Sequence, residues 1–336
     1  MIILGIESSC DETAAAVVKD GHEVISSVVA SQIDVHHIYG GVVPELASRK
    51  HMEAIVPVVD QAILKAGIDY NSLDGIAVTQ GPGLVGSLLV GFSFAKAFAF
   101  ARKLPFVGVN HLEGHLHSVF LEPDPPSFPF VALLVSGGHT SVYHVVSYTQ
   151  HKLLGQTRDD AAGEAYDKVA KMLDLGYPGG QVIDQLAERG DPKKIFFPRA
   201  FLDKNSFDFS FSGLKSAVGR YIKENSPMDD ACMTHVAAGF QAAVTEVLTH
   251  KIIHAAISEK TRHLAIVGGV AANMGLRKEV TRMAAAKGLV VHLPKIKWCG
   301  DNAAMIAAAG FHHLVAGERG NLDDDVYSRI PPTKTF

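Results

Sequence analysis

The sequence predicts an α/β protein made of two related domains, and three observations carry that prediction. A unit of strand, hydroxyl-bearing loop and strand occurs twice, at Ile2–Val18 and again at Phe130–Val146. Both loops end in threonine: Glu7-Ser8-Ser9-Cys10-Asp11-Glu12-Thr13 in the first copy, Ser136-Gly137-Gly138-His139-Thr140 in the second. Between the copies, Pro123–Pro129 holds four of the chain's 15 prolines and reads as the linker. At 336 residues the chain is long enough for two cores, so a duplicated pair facing each other across a cleft is expected.

Composition narrows the class. Hydrophobic residues make up 47% and charged residues 20%, as in soluble globular proteins. A net charge of −4 excludes a broadly basic nucleic-acid binder but leaves room for a local basic patch. Cys10, Cys232 and Cys299 are few, odd in number and form no CxxC, which points to a reducing compartment. No basic n-region precedes Glu7 and Asp11, so no signal peptide is expected. The longest apolar run, Leu84–Ala101, is broken by Gly86, Gly91 and Lys96 and reads as a buried helix rather than a membrane span. A cytoplasmic protein without membrane association follows.

In chain order, Ile2–Ile6 is a short buried strand, Ala14–Val18 a second, and Asp20-Gly21 a turn into a third at His22–Ala30. The loop between the first two strands, rich in small hydroxyl and acidic residues, is either a phosphate or metal loop or a solvated turn. Ala47–Ala66 has helical spacing with Pro57 as a kink. Its apolar positions, including Met52, Ile55, Val56 and Val59, cover more than one face, so it is either deeply buried or docks onto a partner, burial being the default. Gly75–Thr79 is a strand entering Gly81-Pro82-Gly83-Leu84-Val85-Gly86. That matches G-x-G-x-x-G, yet the ribose-binding acid expected about 20 residues on is missing, so a tight strand-to-helix turn is the better reading.

The histidine pair comes next. Pro105–Asn110 reads as a strand and His111-Leu112-Glu113-Gly114-His115 as the start of a helix. Residues four apart share a helix face, so His111 and His115 are either partly exposed helix residues or a grip on one metal ion. Two imidazoles suit zinc, iron or nickel better than calcium or magnesium. A zinc peptidase carries H-E-x-x-H with the glutamate as base. Here the order is H-x-E-x-H, and at 3.6 residues per turn Glu113 points about 200° away from the histidines. The peptidase reading loses its support.

In the second half, Asp159–Gly190 reads as helix (Ala161–Leu173), turn (Tyr177–Gly180) and helix (Gln181–Ala187). Asp167 and Asp184 are either ribose-hydroxyl acceptors or ordinary helix carboxylates. Phe207–Phe211 alternates like a strand, and Ala237–Ser258 is a long helix. Leu264–Val267 enters Gly268-Gly269-Val270-Ala271-Ala272-Asn273, whose glycines let backbone approach a flat ring or phosphate at a helix N-terminus. Asp301, before an alanine-rich helix, is either an N-cap or a third metal ligand.

Taken in order, Gly5–Thr13, His111–His115, Val135–Thr140, Gly268–Asn273 and Gly300-Asp301-Asn302 resemble the TsaD family, bacterial tRNA N6-adenosine threonylcarbamoyltransferases, over nearly the whole chain. The resemblance implies the ASKHA fold of actin, Hsp70 and sugar kinases, two duplicated domains around a nucleotide-binding cleft. Domains are then expected at 1–125 (metal-binding histidines), 126–300 (substrate loop and adenosine motif) and 301–336 (the helix and tail bringing the third metal ligand). It also implies transfer of a threonylcarbamoyl group from threonylcarbamoyl-AMP to N6 of the adenosine 3′ of the anticodon, in tRNAs reading codons that begin with adenine. One divalent ion, Fe2+ or alternatively Zn2+, would sit on His111, His115 and Asp301. Archaeal and eukaryotic relatives carry a tyrosine ligand where this chain has Leu134, so substrate or water would complete the shell. Leu134, Val135, Ser136, Gly137 and Gly138 would bind substrate, with Asp167, Gly180, Asp184 and Asn273 holding the adenosine. Asp11, Glu12 and His139 are the candidate catalytic residues, Asp11 or Glu12 as base. Implied partners are tRNA, the TsaB paralogue docking on the helix at 47–66, and the ATPase TsaE. The rival is a small-molecule kinase or ATPase of the same fold, with Asp11 and Asp301 on magnesium.

Overall fold

The structure, a computed structural model, describes residues 1–201 and 206–329. The chain divides into two compact units. One comprises Met1–Pro125, Ser147–Gln150 and the chain from Lys297 onward; the other comprises Pro126–Val146 and His151–Ile296.

The first unit is built on β1 (Ile2–Glu7), β2 (Glu12–Lys19), β3 (Glu23–Ser31), α1 (Ile33–His37), α2 (Pro44–Ala66), β4 (Gly75–Gly81), α3 (Val85–Arg102), β5 (Phe106–Asn110) and α4 (His111–His117). Its sheet runs β3-β2-β1-β4-β5. The first three strands are antiparallel, and β1, β4 and β5 are parallel. Asp20 and Gly21 turn β2 into β3 with φ of 52° and 74°, the left-handed backbone that an Asp-Gly pair tolerates.

The second unit contains β6 (Phe130–Val135), β7 (Thr140–Ser147), β8 (Gln150–Gln156), α5 (Ala162–Met172), α6 (Gly179–Ala187), α7 (Ser212–Glu224), α8 (Asp230–Ser258), β9 (His263–Val267), α9 (Met274–Ala285) and β10 (Val290–His292). Its sheet runs β10-β9-β6-β7-β8. Read from the β8 edge, that is third, second, first, fourth, fifth strand, the order of the first sheet. The pairing senses also agree: β6 is antiparallel to β7 and parallel to β9. The repeated strand–loop–strand pattern is therefore the opening of two copies of one topology. The final helix, α10 (Ala303–Val315), belongs to the first unit.

Both faces of the first sheet are covered, which is why β1 and β4 are buried almost throughout and read as apolar at Ile2–Ile6 and Ile76–Val78 before their polar ends. On one face Leu4, Ile6, Ile76 and Val78 pack with Ile55 and Val59 of α2 and Phe92 and Ala95 of α3. On the other, Ile3, Ala14 and Ala77 pack with Ala303, Ala307 and Ile306 of α10. The alanine-rich helix lies close because glycine faces it. A Cβ at Gly5 would stand 2.1 Å from the Ala303 carbonyl oxygen, and one at Gly310 would stand 2.2 Å from Ala77 Cβ. This close approach fixes where residue 301, just ahead of α10, must lie. Gly5→Ala is therefore expected to cost about 1–3 kcal/mol, the usual penalty of overpacking, read as a lower denaturant midpoint at unchanged m-value. An unchanged midpoint would show that α10 shifts without resistance.

Three expectations need correction. Helix α2 is buried along one side only: Ile55, Val59 and Ala62 face the core, but Met52 and Val56 are 62% and 51% exposed. Its apolar positions span more than one face, and the sheet can receive only one. Helix α3 is likewise half-covered, with Leu88, Phe92 and Ala95 inside and Val85, Leu89 and Phe100 outside. It is the one described helix long and apolar enough to cross a membrane by length and composition. Residues 207–211 form no strand; Phe209 makes only an isolated bridge to Thr157. Its alternation reflects two buried rings, Phe209 and Phe211, on an otherwise irregular segment.

The glycine run after β4 is a tight turn. A Cβ at Gly81 would meet the Tyr327 carbonyl oxygen at 2.1 Å, and one at Gly83 would meet that of Ser9 at 2.6 Å. The Leu84 N–H donates to Ser9 O at 2.8 Å. The turn therefore braces the β1–β2 loop.

Candidate functional site

Helix α4 begins where β5 ends. Asn110 caps it, its Oδ1 accepting from Leu112 N at 2.8 Å and from Glu113 N at 3.4 Å. The cap sets the phase of the first turn, which carries His111 and His115 side by side, ring centroids 4.8 Å apart. Asn302 caps α10 through Met305 N at 3.0 Å, leaving Asp301 just outside the helix. Asp301 Oδ1 stands 3.2 Å from His115 Nε2 and 3.6 Å from His111 Nε2. One ligand atom from each of the three lies within 4.8 Å of the others.

Hydrogen bonding leaves this cluster incomplete. His115 is fully buried, and neither ring nitrogen has an aligned hydrogen bond among the described residues, despite the short distance from Nε2 to Asp301. A buried imidazole nitrogen without a partner is costly. Two imidazole nitrogens and one carboxylate oxygen form a donor set that suits zinc or iron and leaves coordination positions open for other ligands. The residues fit a divalent ion.

His111 differs from His115 in its surroundings. Its Nδ1 is 3.0 Å from Glu7 Oε2 and 3.2 Å from Ser9 Oγ. Burial works against charge on this ring, yet Asp301 and Glu7 together raise its pKa to about 9. Burial likewise pushes the Glu7 carboxyl up, but His111 beside it and the Ser9 hydrogen bond hold it below the ordinary value.

Glu113 faces elsewhere, as helix geometry requires. Its Oε1 accepts from the half-buried His313 Nε2 at 2.8 Å, and exposed Glu318 stands on the ring's other side. Glu113 is thus committed away from the His111–His115–Asp301 cluster.

The β1–β2 loop places Asp11 and Glu12 in the same unit. It is clamped from α2 by His51, a residue the sequence did not single out. His51 Nδ1 accepts from Thr13 Oγ1 at 2.7 Å and Nε2 donates to Cys10 O at 3.0 Å. Burial lowers the His51 pKa, consistent with a neutral ring that can do both. Burial and Asp301 raise the Asp11 pKa. Burial pushes Glu12 up to about 7, against a hydrogen bond from Ser31 to its Oε1 at 2.8 Å. Glu12 Oε2 is buried with no hydrogen-bond partner among the described residues.

In the second unit Leu134 and Val135 are fully buried strand residues, so any ligand contact there falls to backbone. Ser136–His139 is a tight turn, with Ser136 N to His139 O at 2.8 Å and His139 N to Ser136 Oγ at 3.2 Å. A Cβ at Gly137 or Gly138 would meet nothing within 4 Å. Asp167 Oδ1 accepts from Gly179 N at 2.8 Å, and Gly180 opens onto free space.

Asp184 has a different position from a free ribose acceptor. It accepts from Met274 N at 2.8 Å, Gly275 N at 3.3 Å and Gln241 Nε2 at 2.9 Å. Asn273 Oδ1 takes the next amide, Leu276 N, and Asn273 Nδ2 donates to Gln241 Oε1 at 2.8 Å. The N-terminus of α9, expected to attract a ligand anion, is thus already served by the chain's own carboxylate. Gln241 and Gly275 border a cavity of about 360 Å³ between α6, α8 and α9. Gln241 lacked any sequence signal beyond a polar residue in an apolar stretch, while Glu7 was read only as one member of the acidic, hydroxyl-bearing loop.

Each unit thus carries the topology of a duplicated α/β fold, and the first brings together two buried histidines and a half-buried aspartate that could hold a divalent ion. Among solved structures the chain is similar to T. kodakarensis HypF (TM-score 0.64, 14% identity, 94% of this chain and 48% of that one). It is similar also to the activator of the 2-hydroxyisocaproyl-CoA dehydratase of Clostridium difficile (TM-score 0.51, 15% identity, 96% of this chain and 100% of that one). These likenesses establish the ASKHA fold. The family model of the TsaD tRNA N6-adenosine threonylcarbamoyltransferases matches residues 23–308. A protein of that name from Desulforapulum autotrophicum is 63% identical over 98% of this chain and 99% of its own. One from a Geobacter species is 55% identical over 99% and 97%. The chain belongs to the TsaD family of tRNA N6-adenosine threonylcarbamoyltransferases.

Proposed function

We propose that the chain moves a threonylcarbamoyl group from threonylcarbamoyl-AMP to N6 of the adenosine 3′-adjacent to the anticodon, in tRNAs reading codons that begin with adenine. Membership of the TsaD family supports the transferase and tRNA-modification part; the kinase or ATPase alternative is not favoured. The observation that carries the chemistry is the buried His111–His115–Asp301 cluster, with His115 lacking hydrogen-bond partners. His111, His115 and Asp301 would hold a divalent ion, iron(II) with zinc as the alternative, which would supply Lewis acidity to the charge that develops in transfer.

The donor is a mixed anhydride, so no covalent intermediate with the protein is needed. The N6 lone pair attacks the carbamoyl carbon, the bond from that carbon to the phosphate oxygen breaks, and AMP leaves with the electron pair. The N6 proton goes to a carboxylate. Glu12 is favoured over Asp11 because its Oε2 has no hydrogen-bond partner among the described residues and burial pushes its pKa up to about 7, making it the stronger base. Ser136, Gly137 and Gly138, on the backbone of Leu134 and Val135, cradle the donor, with His139 beside them. Asp167, Gly180 and Asn273 hold the adenosine portion, with Asp184 supporting them through the start of α9 and Gln241, and the cavity beside Gln241 and Gly275 gives it room. The target base lies in a single-stranded loop and can be splayed out without melting a duplex. The domain assignment that goes with this is 1–125, 126–300 and 301–336, of which 330–336 lies outside the described residues. TsaB docks on α2, where exposed Met52 and Val56 lie four residues apart, and TsaE joins the assembly. The reaction takes place in the cytoplasm.

The test is reconstitution: chain, partners, adenylate and unmodified tRNA, with the nucleoside identified by mass spectrometry. Glu12→Gln is expected to lower transfer about 10²-fold. A base works deprotonated, so the parent rate should rise with pH and level off above about 7, and the variant should lose that rise. Full activity in both Glu12→Gln and Asp11→Asn would remove them as base.

A further inference from the structure

Glu7 is a fully buried carboxylate at the end of a strand that is otherwise apolar, Ile2-Ile3-Leu4-Gly5-Ile6. A charge in such a place is costly unless every lone pair is used. Both oxygens are used. Oε1 accepts from Ser9 N at 2.5 Å, and Oε2 accepts from Thr79 Oγ1 at 2.7 Å while facing His111 Nδ1 at 3.0 Å. Donors from the β1–β2 loop and from β4 therefore pin the carboxylate before it meets the imidazole.

From this geometry we infer that Glu7 is a positioning residue for the ion: it keeps the His111 proton on Nδ1, so that the nitrogen left to give up its proton and bind an ion is Nε2, which faces Asp301 and His115. The inference rests on the metal site proposed above. A neutral imidazole offers a lone pair from one nitrogen only, and the hydrogen bond made by the other decides which. Ser9 Oγ, 3.2 Å from the same nitrogen, can donate as well as accept and so does not select a tautomer. A carboxylate accepts only, and therefore does. His115 has no such partner on Nδ1. The two histidines are thus unequal: His111 is the oriented ligand, and His115 takes its orientation from packing and the ion. Thr79 acts one step further back, keeping Oε2 turned toward the ring.

A purely structural reading, in which Glu7 only ties β1 to β4 and the loop, predicts loss of stability with no change in metal affinity. The two are separated by chelator-competition titration of zinc with parent, Glu7→Gln, Glu7→Ala and His115→Ala, beside thermal midpoints of the metal-free forms. Glu7→Gln keeps an acceptor oxygen in reach of Nδ1 and is expected to bind about tenfold more weakly. Glu7→Ala, which leaves only Ser9, is expected to lose up to about a hundredfold. On 15N-histidine-labelled zinc-loaded protein, with His111 assigned by difference from His111→Gln, the parent should show a protonated Nδ1 and a metal-bound Nε2. Affinities of both Glu7 variants within about twofold of the parent, or a bare Nδ1 in the parent, overturn the inference even if His115→Ala confirms the site. A parent that takes up no zinc overturns the metal reading itself, and the inference with it. If Glu7→Ala does not fold, Glu7→Gln and the parent spectrum still decide.

Discussion

His115→Ala is expected to abolish stoichiometric metal binding and to lower carbamoyl transfer by roughly 10²-fold or more. The size follows from what is removed. Loss of a Lewis acid beside a developing oxyanion forfeits several kcal/mol of barrier lowering, and each 1.4 kcal/mol is about tenfold. His115 is the sharpest place to make the change because its ring does little else: neither nitrogen has an aligned partner. The ring fills a site of zero exposure, so some stability will be lost with it. His115→Gln, closer in volume, separates that cost from the loss of the ligand. Metal content by atomic emission and transfer measured with labelled adenylate give the two readouts. A variant that keeps one ion per chain places the ion elsewhere and removes the cluster from the mechanism.

Much of the fold could be read from the chain because its signals are local. Strand–loop–strand at Ile2–Val18 and Phe130–Val146 follows from short apolar runs bounded by small residues, and both copies take the same topology. The glycine turn at Gly81–Gly86 was also legible, since a dinucleotide fold requires an acid this chain lacks. The pairing of His111 with His115 is a matter of helix spacing. The approach of Asp301 is not: it depends on α10 settling flush against β1 through Gly5, a contact no periodicity reports. The residues alone left Asp301 as either an N-cap or a metal ligand, and resemblance to a family favoured the second. Gln241 escaped notice, and Glu7 was seen only as part of an acidic loop, for a related reason. The partners that define each, Thr79 and His111 or Asp184 and Asn273, come together only through sheet order or helix packing. Helices α2 and α3 misled in the opposite direction. Apolar residues around most of a helix suggest full burial, yet a sheet face covers only one side.

Asp184→Ala should weaken binding of the adenylate about 10–100-fold while leaving kcat at saturating donor within about threefold. The carboxylate accepts from two amides at the start of α9 and from Gln241. Hydrogen bonds to a charged acceptor contribute about 1.5–3 kcal/mol each where they are not replaced by water. Removing the acceptor frees Gln241, which also receives Asn273 Nδ2, so two residues bordering or supporting the 360 Å³ cavity lose their orientation together. The start of α9 should fray as well, costing about 0.5–2 kcal/mol, as the loss of an N-cap does. Asp184→Asn keeps one acceptor oxygen and should fall between alanine and the parent in both respects. Calorimetric titration with a non-transferable adenylate analogue, alongside urea midpoints, distinguishes the two contributions. Should stability fall while the dissociation constant stays put, Asp184 is a helix cap and nothing more. The opposite pattern, weaker binding at full stability, would mean that the carboxylate touches the nucleotide directly and that its bonds to α9 are replaced by water. The expected result, both effects in one variant, follows from a single group that completes the helix and thereby shapes the cavity beside it.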